Sequence, residues 1–310
     1  MTFPKYFDSK YSLNLYFLFE NLEFLKNLYI KKKFPKVLML SGKKGCGKAT
    51  LISHLMYCIF DNDNYNEKTN QMNAKSIFYN QFLENIYTNI IYLSGADFKS
   101  IKVDDIRNLK SKIYQTSISN KPRFIIFDDI ELFNNNSLNA LLKIIEEPSK
   151  NNYFLLINNK SKPLIKTIES RCLNIKILLN EKKRLSIIES LITKFNISPI
   201  IDPVTSQLSP GNFVKFNYIF DENRISVDDN FLENLQVLLN LFKKNKDVIF
   251  IDIVLFLTEN YFNKIKDEKL YNNDKIFEYK NFVFENINKF FLYNLNQNVL
   301  LNTISNKLND

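Results

Sequence analysis

The chain has 310 residues, 45% of them hydrophobic and 24% charged, which is an ordinary soluble composition with room for two or three domains. No run of about 18 uncharged apolar residues occurs, so a membrane span is not expected. The three cysteines, Cys46, Cys58 and Cys172, form no C-x-x-C pair, so neither a disulfide framework nor zinc is expected. The formal charge of +9 suits a phosphate-bearing partner such as nucleic acid without proving one. Five arginines, at 107, 123, 171, 184 and 224, stand against 37 lysines. Lysine, asparagine and isoleucine dominate as AT-rich coding would make them. Where such a chain still places an arginine, the planar five-donor fork is the property that lysine cannot supply. Glycine is equally scarce: three of the five lie between Gly42 and Gly47.

The start, MTFPKYFDSKYS, lacks the basic-then-apolar pattern of a secretory signal, and a cytoplasmic location is expected. LYFLFENLEFLKNLYIKKKFP, from Leu15, reads as an amphipathic helix closed by Pro35. Val37 to Leu40 is a short apolar run, the mark of a strand buried on both faces. SGKKGCGKAT follows, and KATLISHLMYCIF continues as a helix carrying the only histidine, His54, which reads as a packing residue. Residues 61–87 are polar, Asn-rich and irregular. NIIYL, Asn89 to Leu93, is a second strand, and Val103 to Gln115 a helix. RFIIFDD, Arg123 to Asp129, is a strand that ends in two acids. NSLNALLKIIEEP is a helix stopped by Pro148, NYFLLIN a fourth strand and CLNIKILL, Cys172 to Leu179, a fifth. Strand alternating with helix over about 180 residues predicts a parallel α/β sheet. Beyond Asn180 comes one helix, then a break from Ser198 to Gly211. From Asp229 the pattern is helical to the end.

The spacing G-x-x-x-x-G-K between a strand and a helix is that of a phosphate-binding loop. Gly42, Gly45 and Gly47 let backbone amides converge on phosphate oxygens, Lys48 adds a point charge, and the helix dipole from Ala49 favours an anion. The candidate contacts are therefore Gly42, Lys43, Lys44, Gly45, Cys46, Gly47, Lys48, Ala49 and Thr50. A hydroxyl that holds magnesium normally follows the lysine, and Ala49 has none. Thr50 is rotated about 100° around the helix, so its oxygen is expected to point elsewhere. Nucleotide binding survives such a loss better than hydrolysis does. Asp128 ends its strand where a carboxylate can order metal-bound water, and is the candidate magnesium contact. Asp129 stands where a glutamate would activate the attacking water, one methylene short. Two acids at a strand end are also what solvent alone would explain. The lysines at 31, 32, 33, 36, 43 and 44 form a basic group that attracts phosphates or is simply a solvated face.

LLKIIEEP, YFLLI and Ser170-Arg171-Cys172 resemble the clamp-loader branch of the AAA+ ATPases. KFPKVLMLSGKKGCGKATLI and Ile101 to Ile113 resemble its delta-prime type, found in bacterial DNA polymerase III, over roughly residues 14–180. The resemblance implies an α/β AAA+ P-loop domain with a five-stranded parallel sheet over 1–179, a small helical lid over 180–224 and an all-α C-terminal oligomerisation domain over 225–310. It implies that Arg171 is an arginine finger presented to a neighbouring subunit's nucleotide. Asn158 and Asn159 fall at the first polar sensor. Asn212, in Ser209-Pro210-Gly211-Asn212, replaces the second-sensor arginine. Implied partners are the gamma/tau ATPase subunits, the delta subunit, the sliding clamp and primer-template DNA. ATP or ADP with magnesium would bind weakly or not at all, and zinc, common in the family, is not expected because residues 60–90 hold no cysteine quartet. Two other readings stay open: an active gamma/tau-like ATPase, and a scaffold that binds no nucleotide. An unrelated phosphate-loop kinase fits less well, given Ser-Arg-Cys and the extra helices.

Overall fold

The structure is a computed structural model, and it describes residues 3–96, 121–267 and 272–309. These fall into two compact units. One runs to Ser190 and takes in Ser209–Asn212; the other holds Leu191–Leu208 and the chain from Phe213 onward. The expected helix over Val103 to Gln115, with Arg107, lies outside the described residues.

The first unit is built on a five-stranded sheet of β1 (Val37–Ser41), β4 (Ile90–Ser94), β5 (Arg123–Asp128), β6 (Asn152–Asn158) and β7 (Leu173–Lys176), in the order β4-β5-β6-β1-β7. Every pairing is parallel. Successive side chains of a strand point to opposite faces, and here both faces are dry. Leu38, Leu40, Phe124, Ile126, Leu155 and Ile157 pack into one cluster with Leu25, Leu51, Leu55 and Phe78. Val37, Met39, Ile125, Phe127, Phe154 and Leu156 pack into a second with Leu138, Leu141, Ile145 and Ile168. That double burial is why these strands read as unbroken apolar runs. The first cluster takes in residues of α1 (Phe19–Ile30) and α2 (Lys48–Phe60), the second residues of α4 (Asn135–Glu146) and the short α5 (Lys166–Glu169).

Three local expectations change. Leu15 to Leu18 is not helical. Asn14 bridges Gln71, the Met72 amide donates to the Leu13 carbonyl at 3.0 Å, and Phe17 has a φ of 55°. Leu13 to Leu15 are tied to the small hairpin of β2 (Tyr65–Asn66) and β3 (Gln71–Met72), and the helix starts only at Phe19. Residues 61–87 are not irregular throughout, because α3 (Ile77–Leu83) forms there, capped by Ser76, whose hydroxyl accepts from the Tyr79 amide at 3.0 Å. Phe78, Tyr79 and Phe82 supply its buried face. The last strand is four residues, shorter than Cys172 to Leu179.

His54 is fully buried in α2, with Nδ1 3.0 Å from the Tyr65 hydroxyl and Nε2 3.2 Å from the Ser12 carbonyl. It acts as a packing residue, and burial depresses its pKa to about 4. Helix α6 spans Glu181–Phe195 and α7 spans Pro210–Glu222, where Pro210 occupies the first helical position, at which a missing N–H costs nothing. In the second unit α8 (Phe231–Asn245), α9 (Ile249–Asp267), α10 (Asn273–Tyr293) and α11 (Gln297–Asn309) pack in sequence. Leu235, Leu239, Ile253, Leu257, Val283, Ile287 and Ile304 are all buried there.

Candidate functional site

In a parallel sheet the loops after the strands gather at one edge, and here they carry the chemistry. The glycine turn follows β1, and the Gly42 amide donates to the Asn158 carbonyl at the end of β6, 3.2 Å away. Gly47 caps α2 with a φ of 93°. The first-turn amides of α2 have no carbonyl partner within the helix, so the donor set suits an anion. Lys48, only 3% exposed, is turned inward: Nζ donates to the Gly42 carbonyl at 2.8 Å and the Lys43 carbonyl at 2.7 Å, with Cys46 Sγ at 3.6 Å. Desolvation lowers its pKa, opposed by Cys46 and Asp128. To hold a phosphate, Lys48 must exchange loop carbonyls for phosphate oxygens.

The loop is also held from outside. The Ser209 hydroxyl donates to the Lys44 carbonyl at 2.5 Å, and the Gly211 amide to the Gly45 carbonyl at 2.9 Å. Two backbones meet here with no room for a side chain. A Cβ on Gly211 would lie 3.0 Å from Gly45 Cα and from its carbonyl oxygen. One on Gly45, which has a φ of +80°, would lie 2.8 Å from the Asn212 amide nitrogen. In a chain with five glycines, two are committed to this one approach. Asn212 therefore lies against the loop, and it carries no cation.

The acids stand across the sheet. Asp128 Oδ2 accepts from the Tyr92 hydroxyl at 2.5 Å, and Oδ1 from the Asp129 amide at 2.8 Å. Burial, then the charge of Asp129, raises the Asp128 carboxyl to about 6. Asp129 is buried in a left-handed conformation, φ 49°, and its Oδ1 accepts from Asn159 Nδ2 at 2.7 Å. The Asn158 side chain turns to the Lys160 amide at 2.8 Å, so of the two asparagines it is Asn159 that reaches the acids. Glu131, absent from the sequence reading, is buried and accepts from the Asn159 amide and from the Ser161 hydroxyl, the latter at 2.7 Å.

Magnesium at such a site is held by the hydroxyl after the lysine and by the acid of the third strand. The residues present do not fit it. Ala49 offers no oxygen, Thr50 lies one position further along α2, and both oxygens of Asp128 already have protein donors.

Arg171 is elsewhere. It lies between α5 and the start of β7, and the pairing of Leu38 with Leu173 puts it level with Lys36. The glycine turn begins six residues further along, about 20 Å away at the strand rise. Arg171 is exposed, donates to the Thr167 carbonyl at 2.9 Å and pairs with Glu146 at 2.7 Å, where α4 ends in the EEP stretch. Cys172 Sγ is 3.0 Å from the Ile168 carbonyl. Lys36, one of the six clustered lysines, lies 4.0 Å over the Tyr153 ring and bonds the Lys150 carbonyl, whereas Lys31, Lys32 and Lys33 are exposed.

The parallel sheet, with its first strand inside and a glycine turn and helix behind it, is that of an α/β P-loop protein with helices following. More narrowly, the chain belongs to the family described as "DNA polymerase III, delta subunit", whose model matches residues 19–181. It is 28% identical over 163 residues to the DNA polymerase III subunit gamma of Buchnera aphidicola subsp. Acyrthosiphon pisum, covering 51% of this chain and 43% of the relative. It is 31% identical over 189 residues to the subunit delta' of Buchnera aphidicola subsp. Schizaphis graminum, covering 56% of each. The chain thus spans about half the length of these relatives. A solved DNA polymerase III gamma subunit-related protein from Thermotoga maritima superposes with a TM-score of 0.49 at 16% identity, over 91% of this chain and 96% of that one. Among the described residues, no helix is long and apolar enough to cross a membrane.

Proposed function

We propose that this chain is the delta-prime-type subunit of a clamp loader, one that lends Arg171 to a neighbouring subunit's nucleotide and turns over little of its own. The observation that carries this reading is the position of Arg171. It is exposed at the opposite end of the strands from its own phosphate loop, about 20 Å away by strand rise, so it can act only on a triphosphate presented by another protein. A guanidinium delivered there would offset negative charge developing on the γ-phosphate. At the chain's own loop, Lys48 is buried on loop carbonyls, Ala49 replaces the metal-holding hydroxyl, and Asn212 brings no charge.

On this reading the partners are the gamma/tau ATPase subunits, the delta subunit, the sliding clamp and primer-template DNA. The segment over 180–224 serves as a lid and that over 225–310 as the part that holds the ring together. The test is ATP turnover by the assembled complex with Arg171→Ala. Assembly is expected to persist while turnover at the facing site falls by about 10³-fold. Unchanged turnover there sinks the assignment.

A gamma-like ATPase is the second reading, favoured by the intact G-x-x-x-x-G-K spacing and the likeness to subunit gamma. It predicts vigorous hydrolysis by the purified chain alone, abolished by Lys48→Ala. The delta-prime reading predicts none.

A further inference from the structure

The tyrosine of NIIYL has a use that its strand does not require. Tyr92 lies on β4, beside β5, paired in register with Ile126 and two residues before the Ser94–Asp128 pair. Its hydroxyl reaches forward along the sheet to Asp128 Oδ2 at 2.5 Å, while the Asp129 amide takes the other oxygen. The ring is itself held: Lys10 Nζ lies 4.3 Å from its centroid and donates to Asn85 Oδ1 at 2.6 Å. A cation–π contact of this kind helps to fix the ring.

The neighbouring carboxylates are committed too. Asp129 accepts from Asn159, and Glu131 from Asn159 and Ser161. Among the described residues, no group of three or more His, Cys, Asp or Glu side chains is disposed to hold a metal. Magnesium demands near-octahedral oxygen ligands at about 2.0–2.1 Å and gives up its waters reluctantly, so it needs a carboxylate free to receive those waters. With Ala49 in the direct-ligand position, Asp128 is the acid left for that task among the described residues, and each of its oxygens already accepts from a protein donor.

We propose that Tyr92 makes this a metal-independent phosphate loop: its hydroxyl holds the Asp128 oxygen that an ordered ion would use, and the loop takes a nucleoside di- or triphosphate through Lys48 and backbone amides without a divalent cation. The inference deepens the reading of a subunit that does not hydrolyse. Binding can persist while the ion that would align water and γ-phosphate lacks the hydroxyl after Lys48 and meets an acid already held by Tyr92.

The experiment uses the full chain and a fluorescent ADP, titrated in excess EDTA and in excess magnesium, with manganese resonance spectra reporting protein-bound ion. Wild-type protein is expected to bind ADP in EDTA, to lose that binding in Lys48→Ala, and to change affinity by no more than about twofold on adding magnesium. Ala49→Ser alone is expected to stay indifferent. Ala49→Ser with Tyr92→Phe, which frees Asp128 and restores the missing hydroxyl, is expected to bind ADP about tenfold tighter with magnesium and to show bound manganese. Tightening of the wild type by magnesium overturns the inference without reference to any variant. So does a response from Ala49→Ser alone, or indifference of a folded double variant. Failure of the wild type to bind ADP in either medium also overturns it, yet leaves the role of Arg171 standing, because that role is read from the neighbour's turnover.

Discussion

Lys48 and Arg171 carry the same charge at opposite ends of one sheet and meet opposite surroundings. Lys48 is 3% exposed, its ammonium spent on the Gly42 and Lys43 carbonyls, with the Ser209–Gly211 backbone closed down on the loop behind it. The Arg171 side chain is 38% exposed, held by the Thr167 carbonyl and by Glu146. A buried cation with its donors satisfied must give up good hydrogen bonds before it can serve a ligand. An exposed one in a weak ion pair gives up little. On the proposed reading, the difference teaches that reactivity is kept at the start of the last strand, facing outward, and not at the loop whose sequence advertises it.

The largest expected effect separates these two residues. In the assembled complex, Arg171→Ala should cost about 10³-fold in turnover at the facing site, and Lys48→Ala no more than a few-fold, since it acts only on this chain's own loop. Equal losses from both would erase the contrast.

A second measurement asks how dry the loop side is. His54, on the helix behind the loop, has its pKa depressed by burial from 6.5 to about 4. The folded state therefore binds fewer protons than the unfolded one between those values. Its contribution is fully present above pH 6.5 and lost as pH falls toward 4, by about 3 kcal/mol in all. Because it is the only histidine, its ring proton resonances are unambiguous, and they should titrate near pH 4. A midpoint near 6.5 would mean a wet interior. Asp128, raised to about 6 by burial, has the opposite slope, favouring the fold below its ordinary pKa and losing that advantage as pH rises to about 6. Asp128→Asn should remove this dependence.

Smaller is the effect of the glycine pair. Gly211→Ala and Gly45→Ala should each cost about 1–3 kcal/mol in chemical denaturation, the second more because it also carries a left-handed φ. The double variant should cost less than their sum, because the first Cβ already parts the two backbones. Strict additivity would mean that the approach is not shared. The smallest effect belongs to the exposed pair at the other site: Glu146→Gln should change stability by no more than about 1 kcal/mol.

Much of this was legible in the residues. The helix Lys48–Phe60 and the strand Asn152–Asn158 occupy the residues that the pattern assigned, because each is a long apolar element whose neighbours only reinforce its own preference. The glycine spacing and Ala49 likewise lie within a few consecutive residues. What escaped depends on closure between distant segments. Leu15 to Leu18 carries a helical pattern, but the backbone of Leu13 to Leu15 is tied to a hairpin more than fifty residues on. Tyr92 reads as one more strand aromatic until the strand register brings its hydroxyl to Asp128. Asn158 and Asn159 are indistinguishable as a pair, and only the turn after β6 decides which side chain faces the acids.

The sequence by itself determined the alternation of strands and helices, the phosphate-loop spacing and the missing hydroxyl, since these are properties of neighbouring residues and their periodicity. Only the tertiary structure decided that Lys48 faces its own loop, that Asp128 is sealed by a tyrosine from the next strand, that Gly45 and Gly211 share one contact, and that Arg171 stands at the far end of the strands. Each of these depends on which strands lie side by side and in what register, and that is set by burying both faces of the sheet at once.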